Sequence, residues 1–395
     1  MSTNRDIVVL SAVRTAIGGY GGGLKDVPAC ELAATAVRAA VERAGVSPSD
    51  VGHTVIGNVV HSEPRDVYIA RVASVNGGLP VETPAFTLNR LCGSGLQAIV
   101  SATQQIETGH CEVTVAGGCE NMSRAAYISP GMRWGARMGD TQMLDMLVGA
   151  LTDPFDKIHM GVTAENIAEK WGISREDQDA LAVESHRRAA AAWDAGVFAD
   201  QIVPVEIQSR KGTVVMERDE HFRANVTPED MAKLRPVFKK GGSVTAGNAS
   251  GINDAASALV LASAEYAERS GLKPMARLVG YSHAGCEPKY MGIGPVPAVK
   301  LLLERTGLSI SDFDLFEVNE AFAAQALAVC RDLDLPMDKT NPNGSGISLG
   351  HPVGATGSIV TTKAIHELQR TGGKLALVTM CIGGGQGIAA AFERV

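Results

Sequence analysis

The octapeptide Arg43–Asp50, RAGVSPSD, returns 262 residues later as Arg305–Asp312, RTGLSISD, with five of its eight residues unchanged. The register can be followed further at nearly the same offset. Gly95-Leu-Gln-Ala-Ile-Val-Ser lies against Gly357-Ser-Ile-Val-Thr, and the stretch from Thr108 lies against the stretch from Thr371. A repeat of this kind implies two diverged copies of one unit, packed so that each buries what the other leaves open. Within each copy, short runs rich in β-branched residues alternate with longer amphipathic ones, as in Ile7–Ala12, Ala29–Ala44 and His53–Ile56, which reads as α/β. At 395 residues the chain has outgrown one hydrophobic core, so two or three packed units are expected.

Between the copies, from about Asn121 to Ser250, the strand–helix alternation weakens and Met and Arg become frequent, at Met122, Arg124, Met132, Arg133, Arg137 and Met138. This reads as an insertion. It carries one clear helical stretch, Ser174 to Ala195, opened by Ser-Arg-Glu-Asp as an N-cap with an acidic first turn.

The formal net charge of −7 argues against a nucleic-acid partner or an anionic membrane surface. No basic segment precedes an apolar one at the N-terminus, and no run of about 18 apolar residues occurs, so no membrane partner and a cytoplasmic location are expected. The seven cysteines, at 30, 92, 111, 119, 286, 330 and 381, lack metal-ligand spacing; free thiols and no metal are expected.

Four short segments carry chemistry. In Asn89-Arg-Leu-Cys92-Gly-Ser-Gly, a strand-like run meets a turn and then a helical pattern, which puts Cys92 at a helix N-terminus where the helix dipole favours thiolate. In the second copy, Ser345-Gly-Ile-Ser-Leu-Gly-His351-Pro-Val-Gly occupies the matching place, so a pseudo-twofold packing brings His351 toward Cys92. Met380-Cys381-Ile-Gly383-Gly-Gly follows an apolar strand, Lys374 to Thr379, and offers backbone N–H groups to an oxyanion. Val318-Asn319-Glu-Ala also closes a strand and supplies an amide. A Cys–His pair alone suits hydrolysis. A second cysteine suits a reaction in which one thiol holds an acyl group while another group exchanges a proton at a carbon beside a thioester.

Together these segments resemble the thiolase family, and within it the short-chain acetyl-CoA acetyltransferases and bacterial β-ketothiolases. The resemblance runs nearly end to end through NRLCGSGLQA, HMGVTAEN, VTAGNASGINDAA, VNEAFAAQA, NPNGSGISLGHPVGATG and MCIGGGQGIAA. It implies an α/β thiolase fold, with duplicated βαβαβαββ halves in a five-layered αβαβα arrangement and an inserted loop domain. The expected units are an N-terminal core of residues 1–121 plus 252–274, a loop domain of 122–251 for coenzyme A binding and tetramerisation, and a C-terminal core of 275–395. A homotetramer, as a dimer of dimers joined through the stretch from Ser123 to Gly139, is also implied.

By position, the resemblance makes Cys92 the acylated residue, His351 its activator and Cys381 the acid/base at the α-carbon. Asn319 would hold a water that forms one oxyanion hole with His351, and the N–H groups of Cys92 and Gly383 would form the other. Coenzyme A would lie along Leu151, His159, Met160, Arg223, Leu234, Phe238, Ala246, Ser250, Met291, Ala321 and Phe322, with Arg223 at the nucleotide end. One position departs: Asp230 stands where related short-chain enzymes often carry a small polar residue.

The implied activity is reversible condensation of two acyl-CoA molecules to 3-ketoacyl-CoA plus CoA, with acetyl-CoA, 3-ketoacyl-CoA and CoA as substrates and no permanently bound cofactor. Short-chain substrates such as acetoacetyl-CoA and 3-ketovaleryl-CoA are expected, in the manner of β-ketothiolases of polyhydroxyalkanoate producers. The alternative is a degradative 3-ketoacyl-CoA thiolase of β-oxidation with longer substrates. Cys381 argues against the ketosynthase branch, and the complete set of four segments argues against a carrier protein without turnover.

Overall fold

A computed structural model of the chain describes residues 6–209 and 212–395. The first five residues, part of the stretch read for targeting signals, lie outside it. No described helix is long and apolar enough to cross a membrane.

The first copy runs β1 (Ile7–Thr15), α1 (Ala29–Ala44), β2 (Val51–Gly57), α2 (Ile69–Asn76), β3 (Ala85–Leu88), α3 (Ser94–Glu107) and β4 (Val113–Asn121). The insertion follows, with α4 (Met160–Trp171) and α5 (Arg175–Asp194) as its main helices, before β5 (Asn253–Ser263) closes the copy. The second copy runs β6 (Ala276–Gly285), α6 (Pro295–Thr306), β7 (Leu315–Val318), α7 (Ala323–Asp332), α8 (Val353–Thr371), β8 (Leu375–Ile382) and β9 (Gln386–Arg394).

The repeated octapeptide has a local meaning. In both copies its glycine ends a helix in the left-handed conformation, Gly45 at φ 68° after α1 and Gly307 at φ 70° after α6. Its Ser-x-Ser-Asp portion then winds one 3₁₀ turn, Pro48–Asp50 or Ile310–Asp312, that delivers the chain into β2 or β7.

The strand order is β3-β2-β4-β5-β1-β6-β9-β8-β7, so each copy contributes the same sequence of neighbours, reflected about the centre. Parallel pairing joins β2 to β3 and β4, and β7 to β8; the inner strands are antiparallel. The third strand of the second copy is reduced to one parallel bridge, Phe316 to Thr340. Where the copies meet, β1 and β6 pair only through Val8 with Arg277 and Val9 with Ala276. The joint is therefore made mainly by packing.

Alternate residues of β1 point to opposite faces, as the pleat requires. Val8, Leu10 and Val13 enter one core with Leu32, Ala33 and Val37 of α1. Val9 and Ala12 enter another with Leu96 and Ile99 of α3, Val360 and Ala364 of α8, Val378 of β8 and Ile388 of β9. A third core sets Ala298 and Leu302 of α6 and Val329 of α7 against Phe316 and Leu377. The order is helix, sheet, helix, sheet, helix: five layers, with α3 and α8 enclosed at the centre. Those two helices cross at Gly95 and Gly357, where each takes the other's backbone at a distance no Cβ would permit.

The expected helix of the insertion is present as α5, with Ser174 Oγ accepting from Asp177 N at 3.0 Å. The insertion is tied to β1 by a buried ion pair, Arg14 Nη1 to Asp219 Oδ1 at 2.8 Å, and the same oxygen accepts from Ile17 N at 2.7 Å.

Candidate active site

Cys92 sits just before α3, whose N-cap is Gly93, on a turn where Leu91 adopts φ 46°. A leucine in the left-handed region costs on the order of 1 kcal/mol or more, and such strain is characteristic of loops that aim a nucleophile. Ser94 holds the turn: its hydroxyl accepts from Arg90 N at 2.9 Å and donates to Leu91 O at 2.7 Å.

The helix end alone does not decide the state of Cys92. The N–H groups of Cys92 and Gly383 both favour the anion, but enclosure by the protein outweighs them and pushes the Cys92 thiol up to about 11. Cys92 rests as a neutral thiol, and a base is needed to activate it.

Two expected positions are refined. The strand before Cys381 extends through Ile382, so Cys381 lies inside β8 rather than after it, paired with Gly387 of β9. His351 does not follow a strand; it lies between a one-turn helix, Gly346–Leu349, and α8. Asn319 does close β7, as expected.

His351 is 6% exposed and is held from three sides. Its backbone N donates to Asn253 Oδ1 at 2.9 Å, its Nδ1 meets Thr356 Oγ1 at 2.6 Å, and its Nε2 faces Asn319 Nδ2 at 3.5 Å. Burial pushes the imidazole down to about 4, so it is neutral near pH 7. Cys381 is fully buried against Met160, Met291, Ala321 and Phe322, and burial together with the nearby Cys92 raises its thiol well above the usual range.

Cys92 and His351 open onto one cavity of about 350 Å³. Its walls include Leu151, His159, Met160, Phe238, Ala246, Ser250, Met291, Ala321 and Phe322, nine of the positions expected to meet coenzyme A. Phe238 stacks on His159 with ring centroids 4.8 Å apart, and Gly161 N donates to His159 Nδ1 at 3.0 Å. That bond makes Nδ1 the acceptor, so His159 turns an Nε2–H donor outward. Ala246 and Ala249 also line a second, larger cleft of about 680 Å³ that contains the remaining two expected positions, Arg223 and Leu234. Asp230 lines the same cleft, where it caps a short helix through Thr227 and pairs with Lys233 at 3.1 Å. The two spaces thus share a wall, with the exposed Arg223 on the outer one and Cys92 on the inner one.

Several residues of the site escaped the sequence reading. Asn253 positions the His351 backbone, and its Nδ2 reaches Gly18 O at 3.0 Å. Glu120, fully buried at the end of β4, accepts from Asn58 Nδ2 and from Val59, Val60 and Gly354 N at 2.8–3.1 Å. It thereby ties a loop beside Cys92 to the first turn of α8. His186 and His221 line the Arg223 cleft. Asn253 lies within the quoted stretch VTAGNASGINDAA, but nothing in the sequence marks the role of any of these residues.

Among the described residues, one group elsewhere brings potential metal ligands within 4.8 Å of one another: Cys30, Glu63 and Asp66. Glu63 is already taken by Arg65 at 2.6 Å and Arg124 at 3.1 Å, and burial pushes the Cys30 thiol up to about 11. The cluster is better satisfied as an ion-pair node. No disulfide joins any of the seven cysteines.

Family models for the thiolase N-terminal and C-terminal domains match residues 7–265 and 272–394. The chain is 63% identical to the β-ketothiolase BktB of Cupriavidus necator, across 99% of this chain and all of that one. It is 48% identical to the human mitochondrial 3-ketoacyl-CoA thiolase, across 100% of this chain and 99% of that protein. Among solved structures, the acetyl-CoA acetyltransferase of Bacillus anthracis superposes with a TM-score of 0.97 at 47% identity, covering both chains fully. The human mitochondrial 3-ketoacyl-CoA thiolase in complex with CoA superposes at 0.96 with 48% identity, over 99% of this chain and 98% of that one.

Proposed function

The chain belongs to the thiolase family, and from that premise we propose that it is a short-chain acetyl-CoA C-acetyltransferase working through an acyl group on Cys92. The supporting observation is that the N–H of Gly383 meets the sulfur of Cys92, so the two halves bring a second thiol, Cys381, close behind the first.

In the thiolytic direction, His351 Nε2 takes the proton from the Cys92 thiol and the sulfur attacks the 3-keto carbon. The oxyanion lies between the N–H groups of Cys92 and Gly383. The C2–C3 bond then breaks, leaving an acyl group on Cys92 and an acetyl-CoA enolate. The Cys381 thiol gives its proton to the enolate carbon while Asn319 and protonated His351 face the enolate oxygen. Free CoA enters, loses its thiol proton to the Cys381 thiolate and attacks the acyl carbon. Cys92 leaves as thiolate and regains its proton from His351. Condensation is the same sequence reversed. Burial suits both thiols to these parts: a poorly acidic Cys381 gives a strongly basic thiolate, which is what abstraction from a carbon acid requires.

Arg223 would hold the nucleotide end of coenzyme A by charge, with the pantetheine passing Leu234, Ala246 and Ser250 to Cys92. We assign residues 1–121 with 252–274 and residues 275–395 to the two core units, and 122–251 to the loop unit. The exposed stretch from Ser123 to Gly139, with Trp134 and Met138 more than 90% exposed, is assigned to tetramer contacts. We extend the proposal to a cytoplasmic role supplying 3-ketoacyl-CoA for polyhydroxyalkanoate synthesis.

The 63% identity to a β-ketothiolase supports the short-chain reading, against 48% to a 3-ketoacyl-CoA thiolase, which would favour the degradative one. The deciding measurement is kcat/KM for thiolysis of 3-ketoacyl-CoA substrates from C4 to C12. Highest values at C4 to C6 are expected; a preference for C10 or longer would overturn the short-chain assignment.

A further inference from the structure

Ser94 and Thr356 stand 262 residues apart, one position before the glycines at which α3 and α8 cross, and so occupy equivalent places in the two copies. In the first copy the hydroxyl has two partners. It donates to Leu91 O and accepts from the N–H of Arg90, four residues upstream. In the second copy the hydroxyl again donates to an upstream carbonyl, Pro352 O at 2.9 Å. The residue equivalent to Arg90 is Pro352 itself, which has no N–H. The accepting side of the hydroxyl is thereby released, and His351 Nδ1 stands there at 2.6 Å.

We infer that Thr356 is a positioning residue for His351: its hydroxyl, committed as donor to Pro352 O, accepts Nδ1–H and so keeps Nε2 unprotonated toward the cavity. This rests on the thiolase reading, in which Nε2 must receive the Cys92 proton. One hydroxyl hydrogen serves one acceptor. With it on Pro352 O, the proton shared with the imidazole belongs to Nδ1. When Cys92 gives up its proton, Nε2 gains it and Nδ1–H stays where it was, so the transfer moves one proton over one hydrogen bond and nothing else.

The same arrangement explains why His351 resists holding charge. Burial alone sets its low affinity for protons, with no carboxylate contributing. A hydroxyl fixes the tautomer without stabilising the imidazolium as a carboxylate would, so the proton is readily passed on to the leaving group. The proline after the histidine, unexplained by the sequence reading, acquires a physical role: it removes the N–H that would otherwise occupy the hydroxyl.

The test compares Thr356→Val, which keeps the shape and removes the hydroxyl, with Thr356→Ser, which restores it. The readout is alkylation of Cys92 by iodoacetamide at pH 7, followed on the Cys92 peptide by mass spectrometry. The valine variant should react about 10²-fold more slowly, and the serine variant within about threefold of the native protein. A valine variant that alkylates at the native rate, or a serine variant as slow as the valine one, overturns the inference. Should the valine variant fold poorly, ¹⁵N-histidine NMR of the native protein decides, with the His351 signals assigned by loss in His351→Asn. Protonated Nδ1 with bare Nε2 is expected, and protonated Nε2 overturns it. Iodoacetamide contains no thioester, so failure here leaves the thiolase reading standing. Failure of the native protein to form an acyl adduct from acetoacetyl-CoA would overturn that reading separately.

Discussion

Gly95 and Gly357, equivalent residues of the two copies, lie against each other. A Cβ on Gly95 would come within 2.5 Å of Ser358 N, and one on Gly357 would overlap the backbone N of Leu96. The repeat read from the sequence therefore ends in physical contact on the axis that relates its halves. Alanine at either position forces the central helices apart. Gly357→Ala should lose about 1–3 kcal/mol of stability, seen as a lower denaturant midpoint with an unchanged slope. A midpoint equal to the native one would mean that the crossing has slack.

In the proposed mechanism the two thiols have separable parts. Cys92→Ala should abolish thiolysis and condensation alike. Cys381→Ala should still acquire a mass increment on Cys92 when given acetyl-CoA, yet form no acetoacetyl-CoA. If Cys381→Ala instead shows no adduct, Cys381 acts before the acyl group is loaded.

Acid and base limits follow from burial. With the His351 imidazole pushed down to about 4 and the Cys92 thiol up to about 11, the resting pair is neutral across the ordinary pH range. Acylation of Cys92 should hold its rate down to about pH 5 and fall below it as His351 gains a proton. In His351→Ala, alkylation of Cys92 should rise only as pH approaches about 11. A plateau reached near pH 8 in that variant would show that a preformed thiolate exists.

Stability should respond to pH in two opposed ways. His351 binds its proton less readily folded than unfolded, so its contribution is full above pH 6.5 and lost as pH falls from 6.5 toward about 4. Glu120, held up to about 8 by burial, binds its proton more readily folded. Its contribution is full below pH 4.5 and is lost as pH rises from 4.5 toward 8. Urea midpoints from pH 4 to 8 should flatten on the alkaline side in Glu120→Gln and on the acid side in His351→Asn.

Removing the exposed charge in the outer cleft should weaken recognition of the nucleotide alone. Arg223→Met is expected to raise KM for acetoacetyl-CoA about 10-fold to 100-fold, the effect of losing a charge-assisted contact. It should leave the KM for acetoacetyl-pantetheine, which lacks the nucleotide, unchanged. Equal effects on both substrates would place the nucleotide elsewhere.

The loops around Cys92, Asn319, His351 and Cys381 were legible because each is written in glycines or a strand end, local signals that survive without a structure. The octapeptide repeat was legible for the same reason: a helix end and a 3₁₀ turn are encoded by neighbouring residues. Asn253, Glu120 and Thr356 were not legible. Each matters through a partner distant in sequence or through a hydrogen bond that depends on helix phase, and a lone Asn, Glu or Thr announces neither. At Cys92 the helix end is visible in sequence while the degree of enclosure is not. Desolvation decided the sign.

The narrow seam between β1 and β6 imposes a division of labour. One copy owns Cys92, the sulfur proposed to be acylated; the other owns the imidazole and the second sulfur, and side-chain packing with a few hydrogen bonds, Gly354 N to Glu120 and His351 N to Asn253 among them, keeps them face to face. Neither copy severed from the other is half a catalyst. Any change that lets the copies slide by the width of one methyl group acts on the chemistry as surely as a substitution at Cys92, without touching a single reacting atom.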